Sequence, residues 1–261
     1  MWEVFVMAEL LAEGYRRLFK GKRFYIVMGV VAAIAVLFTM LYHFINSMAS
    51  GLIGGGLDEG IPADPLLFEG IGVMPLLVGI AAGMLIVQDF RNNTIRNKVI
   101  IGHSRIKIYL ANWIVSVMVM LIYLAVYLLF VIAFGGIILG FDEFPSKATM
   151  LNLLHVLLIE LAMTSFIVFL CNTMKNVGGF VLSITMHYVV DMFSLVLMLL
   201  NKHPKIQEII SEAVPTFQMS LIKNGYDEIQ KHGVRMALFM LAITAVSTVV
   251  GALLFKRSDL K

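Results

Sequence analysis

The chain alternates long apolar runs with short polar and charged segments. Six runs are continuous: residues 24–45, 71–88, 108–134, 151–171, 178–200 and 235–255. Each is close to or beyond the roughly 20 residues that carry a helix across a bilayer core. Membrane-spanning strands would instead show segments of about ten residues with alternating polarity. The pattern therefore predicts an all-α integral membrane protein with six transmembrane helices. Residues 1–20 follow a different rule. On a helical wheel Glu9, Glu13, Arg16, Arg17 and Lys20 share one face, and Val4, Met7, Leu11, Tyr15 and Leu18 share the other. This is the pattern of a helix lying in the membrane interface, with Glu13 and Arg17 as an (i, i+4) pair. Acidic residues precede a first apolar run long enough to span, so the N-terminus does not read as a cleaved signal.

Composition sharpens this picture. Hydrophobic residues make up 60% of the 261 positions and charged residues 14%, against about 25% charged in a soluble domain. There are too few charges to cover a water-facing surface. The single cysteine, Cys171, excludes an internal disulfide and any multi-cysteine metal site. The 18 methionines read as filler for irregular apolar contacts. The net charge of +3 hides a strong asymmetry. Fourteen of the 20 Lys and Arg residues fall before the first run, between the second and third, between the fourth and fifth, and in the tail. The first loop on the other side has Asp58, Glu59, Asp64 and Glu69 and neither Lys nor Arg. The excess of Lys and Arg marks the cytoplasmic side, so both termini are expected there, in a multi-pass protein of the plasma membrane.

Several chemistries lack their signatures. No GxxxxGK(S/T) phosphate loop, HExxH, GxSxG or CxxC occurs, and Gly51, Gly54, Gly55 and Gly56 read as a flexible turn. No catalytic residue, metal site or nucleic-acid partner is expected. The two three-helix halves differ in their loops, which disfavours an inverted-repeat secondary transporter. Ionisable groups inside spans are the default functional candidates. Here they are His155 and Glu160 in the fourth span, and His187 and Asp191 in the fifth. If those spans are neighbours, Glu160, His187 and Asp191 meet near mid-membrane. They form either a structural polar cluster, part of a substrate path, or an ion-coupling site. His187-x-x-x-Asp191 resembles one motif of the CAAX-protease-like membrane peptidases, but their Glu-Glu element is missing from the whole chain. Gly79 and Gly83, at GxxxG spacing, serve either packing within the chain or a dimer seam.

The most informative stretch is Asp89–Asn112, DFRNNTIRNKVIIGHSRIKIYLAN. It leaves a span, runs polar and basic, and re-enters the membrane. As one helix it would place Arg91, Ile95 and Lys98 on one side. Its order of residues resembles the cytoplasmic coupling segment of type-2 ATP-binding-cassette exporter permeases: an acid and an aromatic, Gly-Thr-Ile/Leu-Arg/Lys, a spacer, then Ser-Arg and an aromatic. Asp89, Phe90, Thr94, Ile95, Arg96, Ser104, Arg105 and Tyr109 match. Asn93 stands where Gly is usual, Gly102 where Pro is common, and Asn112 where Lys is frequent. The family also has six spans, internal termini, an N-terminal elbow helix, and short outer helices before the last span. Residues 203–232, with Pro204, Pro215 and the apolar set Ile206, Ile209, Ile210 and Val214, fit that last place. The ending Phe255–Leu260 is similar to the family's exit from its final span.

The resemblance implies a division of the chain into an elbow helix at 1–23, a transmembrane domain at 24–255 and a tail at 256–261. Within the domain it implies a coupling segment at 89–107 and an outer helical segment at 201–232. It also implies a homodimer served by a separate cytoplasmic ATPase that carries ATP and Mg. Arg91, Thr94, Arg96, Lys98, Ser104 and Arg105 would then couple to that ATPase. His155, Glu160, His187 and Asp191 would line a substrate path or form a buried polar cluster. The expected cargo is an amphipathic peptide, antibiotic or lipid-like molecule, and membrane lipids are the other expected partners. An ion-coupled secondary transporter, and after it an intramembrane peptidase, are the alternative readings.

Overall fold

A computed structural model describes residues 2–52, 61–200, 203–224 and 226–258. Within these ranges side chains are described except at residues 2–6, 49–52, 71, 187, 191, 198, 200, 223–224 and 226–231. Among the described residues there is no strand, and six helices are long and apolar enough to cross a membrane. The protein is an all-α, multi-pass membrane protein.

Helix α1 (Trp2–Lys20) breaks at Gly21 before α2 (Lys22–Leu52), the first span. The second span, α3 (Met74–Arg91), contains a π-helical turn at Gly79–Gly83. It is followed by the short helix α4 (Thr94–Ile100). The third span, α5 (Arg105–Ile138), has a second π turn at Val131–Gly135. Then come the fourth and fifth spans, α6 (Lys147–Met174) and α7 (Val177–Leu200). Two short helices, α8 (Pro204–Ala213) and α9 (Pro215–Asn224), precede the last long helix, α10 (Tyr226–Arg257). Every apolar run of the sequence lies within one of the spans, apart from the first three residues of the second run, at 71–73.

Helix α6 is the centre of the bundle. It packs against α10, α7, α5 and α3, and Val156, Ile159, Ala162 and Val168 are fully enclosed. Helix α7 is peripheral: Val181, Met192, Phe193 and Leu195 are exposed, as on a lipid-facing helix. Where lipid is as apolar as the core, close packing rather than burial from water holds helices together. Gly79 and Gly83 illustrate this. A Cβ on Gly79 would lie 2.6 Å from the Phe180 ring, and one on Gly83 3.3 Å from Cys171 Sγ. The small-residue stripe of α3 is therefore filled by α6 and α7 of the same chain.

Polar contacts tie the connecting segments and α2 to the bundle. At the end away from the chain termini, Asp64 accepts backbone N–H bonds from Asp142, Glu143 and Phe144 at 2.8, 3.2 and 2.8 Å. Tyr127, fully buried in α5, donates to Leu66 O at 2.7 Å and accepts from Gly70 N at 2.8 Å. One turn before Tyr127, Tyr123 donates to Phe24 O at 3.0 Å, joining the middle of α5 to the start of α2.

Candidate functional site

The segment 89–107 is not one helix. Helix α3 ends at Arg91, and Asn93 adopts the left-handed conformation at φ 56° before α4 begins at Thr94. Asparagine is, after glycine, among the residues that best tolerate this conformation. Asn93 therefore makes the turn at the position where the resembling family has glycine. The second turn comes at Gly102, with φ 106°, which a side chain would strain. Ser104 then caps α5, its hydroxyl accepting from Lys107 N at 3.3 Å.

The break separates Arg91 from the buried side of α4. Ile95 and Lys98 face inward, while Arg91 and Arg96 are exposed. Lys98 Nζ lies 3.1 Å from Glu13 Oε2 and 3.9 Å from Asp89 Oδ2. Arg17 pairs with Asp89 and lies 3.7 Å from Glu13. Two acids and two bases thus bind α1, the end of α3 and α4 into one unit. Burial lowers the Lys98 and Arg17 pKa values, and Glu13 opposes the shift in both. Arg105 donates to the carbonyls of Lys256, at 3.2 Å, and Ser258. It therefore closes the C-terminal end of α10, where unpaired carbonyls favour a cation.

The six residues expected to couple to an ATPase therefore fall into two groups. Lys98, Ser104 and Arg105 make contacts within the chain, and Thr94 opens α4. Arg91 and Arg96 face outward and line a cleft with Lys175. The outermost apolar residues of the segment are Ile100 and Ile101, 72% and 77% exposed. In the sequence they read as an ordinary continuation of α4, and no signal sets them apart. The Glu13–Arg17 pair is legible there, but its junction with Asp89 and Lys98 is not.

Inside the bundle, His155 Nε2 lies 2.9 Å from Gly233 O, and Nδ1 lies 3.0 Å from Leu151 O. The ring fastens α6 to α10. Glu160 is fully buried, and neither carboxylate oxygen has a hydrogen-bond partner among the described residues. One turn further on, Thr164 Oγ1 is also buried without a partner there. Helices α6 and α7 are neighbours, as the meeting of Glu160 with His187 and Asp191 requires. The side chains of His187 and Asp191 lie outside the described residues.

A third polar group joins the short helices to α10. Arg235 pairs with both Glu208 and Glu212, and His232 Nδ1 lies 3.1 Å from Glu212 Oε1. Three of these groups, Glu208, Glu212 and His232, come close enough together to share a metal ion. The Arg235 guanidinium already supplies the positive charge there. The chain matches no protein-family model and no curated protein sequence at a significant level.

Proposed function

We propose that the chain is the permease subunit of an ATP-driven exporter, working as a homodimer in the plasma membrane with both termini in the cytoplasm. ATP and Mg belong to a separate ATPase subunit. One observation carries this reading. The loop after the second span holds a short helix whose inner face is locked to α1 and α3 by Glu13, Arg17, Asp89 and Lys98. The outer turn of that helix presents Ile100 and Ile101 to whatever docks there. A push on the turn would move α1 and α3 together, which is what a motor needs from a coupling element. The order Asp89-Phe90, Thr94-Ile95-Arg96, Ser104-Arg105 supports the same reading.

The cargo that best fits is amphipathic and cationic: an antibiotic, a peptide or a lipid-like molecule. The acidic loop around Asp64 and Glu69 and the buried Glu160 support this class. The test is purification of the tagged chain from its own host in mild detergent. An ATPase should co-purify at about one copy per permease, and Ile100→Asp with Ile101→Asp should abolish it. Transport by the chain alone, driven by an ion gradient, would overturn the reading. That outcome belongs to the second reading, an ion-coupled transporter, which the Glu160 carboxyl, without a hydrogen-bond partner among the described residues, favours. Within the first reading, Glu160→Gln should weaken substrate-stimulated ATP hydrolysis.

A further inference from the structure

The cleft beside α4 has a volume of about 440 Å³. Three cations reach it from two distant parts of the chain: Arg91 and Arg96 around the α3–α4 turn, and Lys175 in the α6–α7 turn. Lys175 is placed by the left-handed conformation, φ 60°, that ends α6. No acidic residue lines the cleft among the described residues, although Asp89 is two residues from Arg91, because Asp89 is turned inward to Arg17 and Lys98. Val87, Phe90 and Val177 supply an apolar wall.

The position of the cleft narrows the class of ligand. Arg91 is the last residue of one span and Val177 the first of another. The cations therefore stand at the depth where apolar helix surface gives way to water, which is the depth of lipid phosphates. The wall of Val87 and Phe90 continues from them towards the bilayer core along α3. Basic pockets between transmembrane helices at this level bind anionic headgroups. We infer that this cleft is a binding site for an anionic phospholipid: Arg91 and Arg96 would hold the phosphate and the net negative charge, and the apolar wall the first methylenes of an acyl chain. This inference stands whether or not the chain serves an ATPase.

The full chain reconstituted in phosphatidylcholine vesicles tests it, with spin-labelled phosphatidylglycerol or spin-labelled phosphatidylcholine as the probe. Each Lys or Arg near an anionic surface is worth about fivefold in affinity, so phosphatidylglycerol should be retained at the protein roughly tenfold or more over phosphatidylcholine. Arg91→Gln with Arg96→Gln should remove most of that preference, while Arg257→Gln, at the same end but outside the cleft, should leave it nearly intact. An unchanged unfolding midpoint in phosphatidylcholine confirms that a variant has folded. Arg91→Gln alone, which should lower the preference severalfold, carries the test if the double variant does not fold. Equal losses from Arg257→Gln and Arg91→Gln would assign the preference to the diffuse positive field and overturn the site. Displacement of the labelled lipid by millimolar inorganic phosphate would assign the cleft to a soluble phosphoryl group and overturn the lipid. Absence of any lipid preference, with Arg91→Gln and Arg96→Gln weakening only ATPase co-purification, would overturn it as well. Failure of Ile100→Asp and Ile101→Asp to affect co-purification would count against the exporter reading alone.

Discussion

Asp89 and Glu160 are both acids withdrawn from solvent, 3% and 0% exposed, yet their surroundings are opposite. Asp89 ends a span and meets two cations, Arg17 and Lys98, brought by two other helices. Glu160 lies deep in the central helix and, among the described residues, meets no hydrogen-bond donor. A buried charge is tolerated when it is paired and costly when it is not. Asp89 is therefore part of the scaffold, and its charge organises the fold. Glu160, on its contacts among the described residues, is a cost to the scaffold, which makes it a candidate for function.

The largest effect should come from breaking the paired site. Asp89→Asn leaves Arg17 and Lys98 facing each other with only the half-exposed Glu13 between them. Removing one partner of a buried ion pair costs about 3–5 kcal/mol. The unfolding midpoint in mild detergent should fall accordingly, and proteolysis within 92–103 should quicken. Adding Lys98→Met should recover part of the loss, because it removes one of the stranded charges. A midpoint unchanged from wild type for Asp89→Asn would show that the four ions do not hold α1, α3 and α4 together.

That site also marks the limit of what the sequence makes legible. The six spans can be read from it because an apolar run of fixed length has one structural solution in a bilayer. The turn at Asn93 is half legible: a run of Asn residues after a span signals a break, but not which residue takes the positive φ. The ion cluster is not legible, because Arg17, Asp89 and Lys98 are brought together only by the packing of α1 on α5 and of α4 on α3. Lys175 in the cleft is hidden for the same reason. Asp64 reads as one of several acids in an acidic loop, whereas it organises the turn between the third and fourth spans. Glu160 is legible as an oddity from depth alone, since a charge at mid-span is rare. That it meets no hydrogen-bond partner among the described residues emerges only in three dimensions.

A smaller effect, of opposite sign, sharpens the comparison from the other side. Glu160→Leu replaces two oxygens that have no hydrogen-bond partner among the described residues with apolar carbon of similar size. An unsatisfied buried polar group costs about 1–3 kcal/mol, so this variant should be more stable than wild type by roughly 1 kcal/mol or more. Under the exporter reading it should at the same time lose substrate-stimulated ATP hydrolysis. A gain in stability with a loss of activity is the signature of a residue retained for function. If Glu160→Leu instead destabilises the protein as much as Asp89→Asn, the acid has a partner on a neighbouring chain or among residues such as His187 and Asp191. The contrast with Asp89 would then fail.

The smallest effect tests how well the paired site compensates its own burial. Burial lowers the Lys98 pKa below the ordinary lysine value of 10.5, with Glu13 opposing the shift and Arg17 adding to it. Between that lowered value and 10.5, the unfolded chain holds more protons at this position than the folded one. Stability from Lys98 therefore rises with pH across that interval. Burial disfavours the charged form of Lys98, and Glu13 reduces that cost without cancelling it. In paired melts of wild type and Lys98→Met at pH 8 and pH 10, the other alkaline losses are shared. Wild type should thus lose less stability than the variant on going to the higher pH. The difference should be a fraction of the roughly 1.4 kcal/mol that a tenfold change in proton affinity represents. A larger alkaline loss in wild type would mean that the ion pairs raise the Lys98 pKa. Asp89 and Glu13 would then overcompensate burial, and the paired site would be a stronger clasp on α4 than its geometry implies.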